Sequence, residues 1–354
     1  MIEAKFKTAF GALPKAVIFT PGRVNLIGEH TDYNGGMVLP TAIALGIDIA
    51  LSPRADDKIK IHSDKFDNMA ERSLTDNTTG DWSDYVAGAV IFARQAGLLE
   101  NGVDIAIATN LPIGAGLSSS AAIIVGILKA GLTLSGANMP DAQIAKLARR
   151  VENEFIDVPC GIMDQMAVAI ARPGQALALD TQTLDYDLID LPKDYQMAVI
   201  HSSIFRELSE GRYKTRKEEC DVVKTFLGRK DICRIENNDL ERLIELPEHI
   251  QRRAKHCMSE NQRTLDAISA LKNKNMKLFG NLMNASHLSM QDDFDISLPK
   301  IDRLVEDAQK LGAKGARLTG GGFGGCIVAC IEKEKFASWV EALLARHPDA
   351  FLVC

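Results

Sequence analysis

The chain has 354 residues, 46% hydrophobic and 25% charged, an ordinary globular composition that at roughly 100–200 residues per domain leads us to expect two domains. A formal net charge of −6 argues against a broad basic face for nucleic acid, and the seven cysteines form no CxxC pair and no even set, so neither a disulfide framework nor a zinc knuckle is expected. The start Met1-Ile2-Glu3-Ala4-Lys5-Phe6-Lys7 lacks the basic-then-apolar order of a secretion signal, and no run of about 18 apolar residues occurs, so a cytoplasmic chain without a membrane span is expected.

Residues 36–62 alternate glycine, apolar runs and turn residues, which predicts successive strands. Ser83 to Leu98 carries Val86, Val90, Ala93 and Leu98 at helical spacing, with Asp81 or Ser83 as its cap. A strand is expected over 103–109, then a Gly/Ser-rich loop, then helices from about Ser119 to Leu134 and from Asp141 to about Phe155. A short helix follows over Met163–Ala171, and strands over 175–180, 185–190 and 196–201. Residues 206–290 are charged and helical, with Leu and Ile at heptad-like positions. The end reads helix 298–311, strand 315–318, glycine loop 319–325, strand 326–331, helix 334–345 and strand 350–353. That mixture is an α+β pattern, and a boundary is expected near 180–200. Cys326 and Cys330 lie in an apolar run and read as small buried hydrophobes.

Three segments carry chemistry. Leu111-Pro112-Ile113-Gly114-Ala115-Gly116-Leu117-Ser118-Ser119-Ser120-Ala121-Ala122 sits between a predicted strand and a predicted helix. Its glycines permit close backbone approach, and the N–H groups of the helix start suit phosphate oxygens. Serine hydroxyls are also fit ligands for Mg²⁺. No GxxxxGK[ST] occurs, so this is not a Walker loop; a glycine turn before a serine-capped helix has the same composition. Pro21 to Gly36 packs Arg23, Asn25, Glu29, His30, Asp32 and Asn34 into a short stretch, either a solvated turn or a polar edge for vicinal hydroxyls. Arg23 suits the developing charge of a transferring phosphoryl. Arg317-Leu318-Thr319-Gly320-Gly321-Gly322-Phe323-Gly324-Gly325-Cys326 is a tight strand–strand turn or a second loop closing over ligands. Glu152, near the end of the helix that starts at Asp141, and Asp164, in Cys160-Gly161-Ile162-Met163-Asp164-Gln165, are candidate site carboxylates, a solvated helix face and a helix cap being their other readings.

These three segments together resemble the motifs of the GHMP kinases, and Gly22-Arg23-Val24-Asn25-Leu26-Ile27-Gly28-Glu29-His30-Thr31-Asp32-Tyr33 resembles the signature of the galactokinase family within them. The resemblance covers nearly the whole chain and includes Cys160 to Gln165 and, more loosely, Ala285-Ser286-His287 with Gln291-Asp292-Asp293-Phe294. It implies a two-domain α+β fold, with a ribosomal protein S5 domain 2-like N-terminal domain (1–190) and a ferredoxin-like C-terminal domain (191–354). It implies transfer of the ATP γ-phosphoryl to the anomeric hydroxyl of galactose by a monomer acting on small molecules. Gly114, Ala115, Gly116, Leu117, Ser118, Ser119 and Ser120 would hold the phosphates, and Ser120 and Glu152 would bind Mg²⁺. Glu29, His30, Thr31, Asp32 and Tyr213 would line the sugar, Arg23 would steady the transition state, and Asp164 would be the base.

The chain departs from the family at His201-Ser202-Ser203, where Asn-Ser-Asn is common, and at Gly211-Arg212-Tyr213, where Ser-Glu-Tyr is common. Both bear on sugar preference, so N-acetylgalactosamine, arabinose and galacturonate remain alternative acceptors. A non-catalytic galactose and ATP sensor is a further alternative, although such relatives lose part of the serine loop that is intact here. Trp82 and Tyr85 read as core aromatics or as adenine-stacking residues.

Overall fold

The structure, a computed structural model, describes residues 1–112, 114–205 and 210–354, with no side chain described at 67, 68, 210 and 237. Two compact units make it up. The first comprises Met1–Arg23, Ile43–Leu111 and Ser118–Ile170, and the second Val24–Ala42, Pro112–Leu117 and Ala171–Cys354. The units interleave in sequence rather than dividing at one point, and the expected 190/191 boundary falls inside the second.

In chain order the strands are β1 (Ala16–Asn25), β2 (Met37–Val38), β3 (Pro40–Pro53), β4 (Lys58–Ser63), β5 (Phe66–Ser73), β6 (Val103–Thr109), β7 (Gln175–Asp180), β8 (Tyr186–Asp190), β9 (Tyr195–His201), β10 (Gly315–Thr319), β11 (Cys326–Glu332) and β12 (Phe351–Leu352). In the first unit, Ile47–Pro53 of β3 pairs antiparallel with β6, β6 runs parallel to β4, and β4 pairs antiparallel with β5. Strict alternation in β4 buries Ile59 and Ile61 and turns Lys58 and Lys60 outward, the period-2 signature of a sheet with one face covered.

The helices Ser83–Gln95, Ser119–Ser135, Asp141–Arg150 and Met163–Ile170 belong to this unit; Val90, Ile124 and Leu128 on them are fully buried, as are Ile49, Leu51 and Ile105 on the strands. Gly126 lets the second of these helices lie close to the sheet, because a Cβ there would collide with Ile49. The first helix ends before the expected Leu98. Gly97 takes φ 73° and the Leu98 N–H returns to the Ala93 carbonyl at 2.9 Å, so Leu98 folds back into the core. The helix from Asp141 does not continue regularly to Phe155. It opens into a π turn over Val151–Phe155, a distortion frequent at functional sites, and Glu152 lies on that turn.

In the second unit β2 and β8 flank β7, both antiparallel, and a separate antiparallel sheet runs in the order β10-β11-β9-β12. The charged stretch is helical as expected, over Glu210–Leu227, Asn237–Arg242, Glu248–Lys272 and Met276–Asp292; residues 206–209 of that expectation lie outside the described residues. Helix Pro299–Lys310 starts on a proline at its first turn and buries Ile301, Leu304, Val305 and Ala308, one stripe at helical spacing. These side chains join Ile327, Trp339, Phe294 and Ile296 in one core. Cys326 and Cys330 are fully buried, as expected, and none of the seven cysteines forms a disulfide. Among the described residues no helix is long and apolar enough to cross a membrane.

Candidate functional site

Four of the expected site residues meet in the first unit. Arg23, near the end of β1, points Nη2 and Nε at one oxygen, Oδ1, of Asp164, at 2.6 and 2.8 Å. The guanidinium side chain is 7% exposed and the carboxylate 33%, so the cation lies behind and the carboxylate reaches solvent. Because Oδ1 takes both nitrogens, the ion pair does not need the other oxygen. Asp164 stands in the first turn of helix Met163–Ile170.

Its neighbour Gln165 donates its amide to Glu152, and the Ser120 hydroxyl also hydrogen-bonds Glu152. Burial raises the Glu152 pKa above the ordinary carboxylate range; the Ser120 hydrogen bond opposes the rise and the Asp164 charge adds to it. A buried carboxylate, a hydroxyl and a second carboxylate make an oxygen-rich, electron-rich group that suits a hard cation. Among the described residues no set of three or more His, Cys, Asp or Glu side chains is arranged to hold a metal, so such a cation would complete its shell with other oxygens.

The glycine–serine turn has the backbone its composition predicts. Gly114 and Gly116 take φ 71° and 72°, and Ser118 takes φ 62°, a left-handed conformation rare outside glycine. Ser118 precedes helix Ser119–Ser135 without capping it by its side chain. Its hydroxyl is buried with no hydrogen-bond partner among the described residues, an arrangement that costs stability unless an acceptor or donor arrives. The bare helix start and the unpaired hydroxyl both suit an incoming anion. In the second unit the Cys326 thiol lies 3.5 Å from the Ala115 carbonyl, which sets Gly114–Leu117 beside the five-glycine segment.

The remaining expected residues gather in the second unit. Glu29 is buried. Its Oε1 accepts from the Gly320 N–H at 2.7 Å and the Thr319 hydroxyl at 3.1 Å. Glu29 therefore latches its own loop to the glycine segment. Thr31 is fully buried and its hydroxyl is spent on the carbonyls of Gly28 and Met37, at 2.9 and 2.7 Å, so it braces the loop. His30, at φ 61°, hydrogen-bonds the Tyr33 hydroxyl through Nδ1 at 2.6 Å, and its ring lies 4.6 Å from Phe294 and 5.5 Å from Tyr213. Asp32 opens a short turn and is half-buried.

Tyr213 also meets Gly321, where an added Cβ would stand 3.1 Å from its ring. His201-Ser202-Ser203 braces the other end of the glycine segment, with the Ser202 hydroxyl donating to the Gly325 carbonyl at 2.8 Å. Trp82 stacks flat on Phe66 at 4.5 Å, which occupies a face of the ring.

Sequence reasoning missed the support beneath this loop. Glu260 and His256, on helix Glu248–Lys272, and Arg317, on β10, are buried and reach the backbone of residues 25–29. The available signal was the spacing of Arg253, His256, Glu260 and Arg263, which places polar residues on one helical face.

Three family models match the chain: a galactokinase galactose-binding signature over residues 4–53, the GHMP kinases N terminal domain over 84–172 and the GHMP kinases C terminal over 267–347. The chain is 39% identical over 341 residues to a galactokinase of Actinobacillus pleuropneumoniae serotype 3 (strain JL03), covering 94% of this chain and 89% of that one. It is 37% identical to a galactokinase of Roseiflexus sp. (strain RS-1), covering 99% and 92%. Its structure is similar to the crystal structure of Lactococcus lactis galactokinase complexed with galactose, with a TM-score of 0.91, 32% identity and 99% and 95% coverage. It is also similar to the mevalonate kinase of Methanococcus jannaschii, with a TM-score of 0.70, 25% identity and 95% and 96% coverage.

Proposed function

The chain belongs to the galactokinase family, a family of ATP-dependent sugar kinases, and on that premise we propose that it transfers the γ-phosphoryl of ATP to the C1 hydroxyl of α-galactose, giving galactose 1-phosphate and ADP. The observation that carries the residue assignment is the Arg23–Asp164 pair, a buried guanidinium behind a solvent-reaching carboxylate. Asp164 orients the C1 hydroxyl and accepts its proton. The hydroxyl oxygen forms a bond to the γ-phosphorus as the bond to the β-bridging oxygen breaks and ADP leaves. A loose phosphoryl-transfer transition state demands little nucleophilic push, so positioning and charge dominate. Arg23 serves both, fixing Asp164 and meeting the charge on the phosphoryl oxygens.

Glu29, His30, Asp32 and Tyr213 line the sugar, with Thr31 as brace. Gly114 to Ser120 hold the phosphates, and the unpaired Ser118 hydroxyl supports that reading. Ser120 and Glu152 fit Mg²⁺ by their chemistry: a cation restores the balance of a buried carboxylate, and when bound it supplies positive charge at the phosphate oxygens. Seven cysteines without a disulfide support a reducing, cytoplasmic setting, and the working state in this reading is a monomer.

A coupled ADP assay over galactose, N-acetylgalactosamine, arabinose, galacturonate and glucose tests the acceptor. Galactose giving the highest kcat/KM, with the phosphate on C1 by ³¹P NMR, is the expected result. ADP release that ignores galactose would defeat the reading.

A further inference from the structure

We infer that Glu260 is a positioning residue for the sugar, holding the Gly28–Glu29 backbone in register with the glycine segment at Thr319–Gly320. This rests on the reading of Glu29 to Asp32 as part of the sugar wall. Glu260 is fully buried in helix Glu248–Lys272. Its Oε1 accepts from the Gly28 N–H at 2.9 Å, the Glu29 N–H at 3.3 Å and the Ser286 hydroxyl at 2.6 Å, and its Oε2 accepts from Arg263 Nε at 2.8 Å.

Glu29 is held at three points. Its N–H donates to Glu260, its carbonyl accepts from His256 Nε2 at 3.2 Å, and its carboxylate accepts from Thr319 and Gly320. Since a carbonyl only accepts, His256 carries its proton on Nε2, and its Nδ1 takes the Ser289 hydroxyl at 2.8 Å. Arg317, also fully buried, lies between the two carboxylates, 3.6 Å from Glu29 and 3.8 Å from Glu260.

The arrangement is costly unless the geometry is needed. Desolvating two carboxylates and a guanidinium is unfavourable, and apolar residues of similar volume commonly serve stability as well or better. What the charges add is direction. A carboxylate accepts two neighbouring backbone N–H groups at once, which an apolar side chain does not. Gly28 complements this: it takes φ 96°, and a Cβ there would stand 2.6 Å from the Met37 carbonyl, so the loop has one way to turn. Helix, sugar loop and glycine segment are therefore tied in series through Glu260, Glu29 and Gly320. A slip at Glu260 displaces Glu29 and its neighbours.

The test is steady-state kinetics of Glu260→Gln and Ser286→Ala on the full chain, varying sugar and ATP separately, with thermal unfolding alongside. Glu260→Gln should raise KM for galactose about tenfold, the worth of a charge-assisted hydrogen bond, while KM for ATP stays within about twofold. Ser286→Ala, which removes one donor and little volume, should raise the galactose KM about threefold with the same indifference to ATP. A merely structural role lowers the melting temperature or moves both constants together, and either pattern with an unchanged KM ratio overturns the inference. If Glu260→Gln fails to fold, Ser286→Ala decides, and an unchanged galactose KM in it refutes the role. The comparison uses whichever sugar the wild type phosphorylates, so a wrong acceptor shows in the wild-type panel and a wrong role for Glu260 shows in the variants.

Discussion

Gly322→Ala is the sharpest test of how the glycine segment is seated. Gly322 takes φ 84°, and a Cβ added there would lie 2.6 Å from the Ile296 Cβ and 2.8 Å from the Ile296 carbonyl oxygen. Neither atom sits on a flexible side-chain end. Ile296 is fully buried, and its carbonyl already accepts the Phe323 N–H at 2.8 Å. The left-handed backbone costs a non-glycine residue about 1–2 kcal/mol. Overpacking against a fixed neighbour adds about 1–3 kcal/mol. The substitution should therefore destabilise by about 2–5 kcal/mol, a large share of the ~5–15 kcal/mol typical of a fold.

Gly228→Ala in the same unit separates the two contributions. Gly228 has φ 66° and nothing within 4 Å of an added Cβ, so only the backbone cost of about 1–2 kcal/mol applies. Urea unfolding followed by circular dichroism gives both values. If Gly322→Ala costs no more than Gly228→Ala, the close approach to Ile296 is wrong, and with it the geometry assigned to this loop. Where Gly322→Ala still folds, the strain also moves Tyr213 and Glu29 through Gly321 and Gly320, so its kcat/KM for galactose should fall while Gly228→Ala stays near wild type.

Ser118→Ala removes a buried hydroxyl that has no partner among the described residues. Without ligand its melting temperature should equal or slightly exceed that of wild type, because an unsatisfied buried polar group costs ~1–3 kcal/mol; its KM for ATP should rise about tenfold, and an unchanged KM would remove Ser118 from phosphate binding. Stability should fall on mild acidification. Burial pulls the His256 pKa down to about 4, so between that value and its ordinary ~6.5 the unfolded chain binds a proton that the folded chain does not. The contribution is complete above pH ~6.5 and is lost towards pH 4, at up to ~1.4 kcal/mol per pH unit. Burial, the largest single effect, would raise Glu260, but the charges around it, Arg317 first among them, and the Ser286 hydrogen bond together outweigh burial and hold it at about 2, which adds a second loss below pH ~4.5. Urea unfolding at pH 7, 6 and 5 should show the first slope in wild type and a flatter one in His256→Gln; equal slopes would refute it.

The sequence was most informative where the physics is local. The strands expected within 36–62, the helix expected over 298–311 and the tight glycine turns at 114–116 and 320–325 rest on neighbouring residues alone, and the structure has them there. Arg23, Ser120 and Asp164 stood out because their residue types lie in short dense motifs, Glu152 only as a carboxylate near a helix end, and the fold brings Arg23 against Asp164 and Ser120 against Glu152. What escaped was set by distant partners. The Gly28 amide is satisfied by a carboxylate 232 residues later in the chain, and no spacing rule reaches that far. The partners of Glu29 and Thr31 were hidden for the same reason: their side chains hydrogen-bond Gly320, Thr319, Gly28 and Met37. The π turn at Val151–Phe155 was invisible because its composition is that of an ordinary helix.

Single-turnover and steady-state kinetics of Asp164→Asn test the assignment of the reacting carboxylate most directly. With galactose and ATP the variant should lose about 10²–10⁴-fold in kcat, while ATP affinity measured by calorimetry stays near wild type. Turnover close to wild type in a folded Asp164→Asn protein would contradict the account.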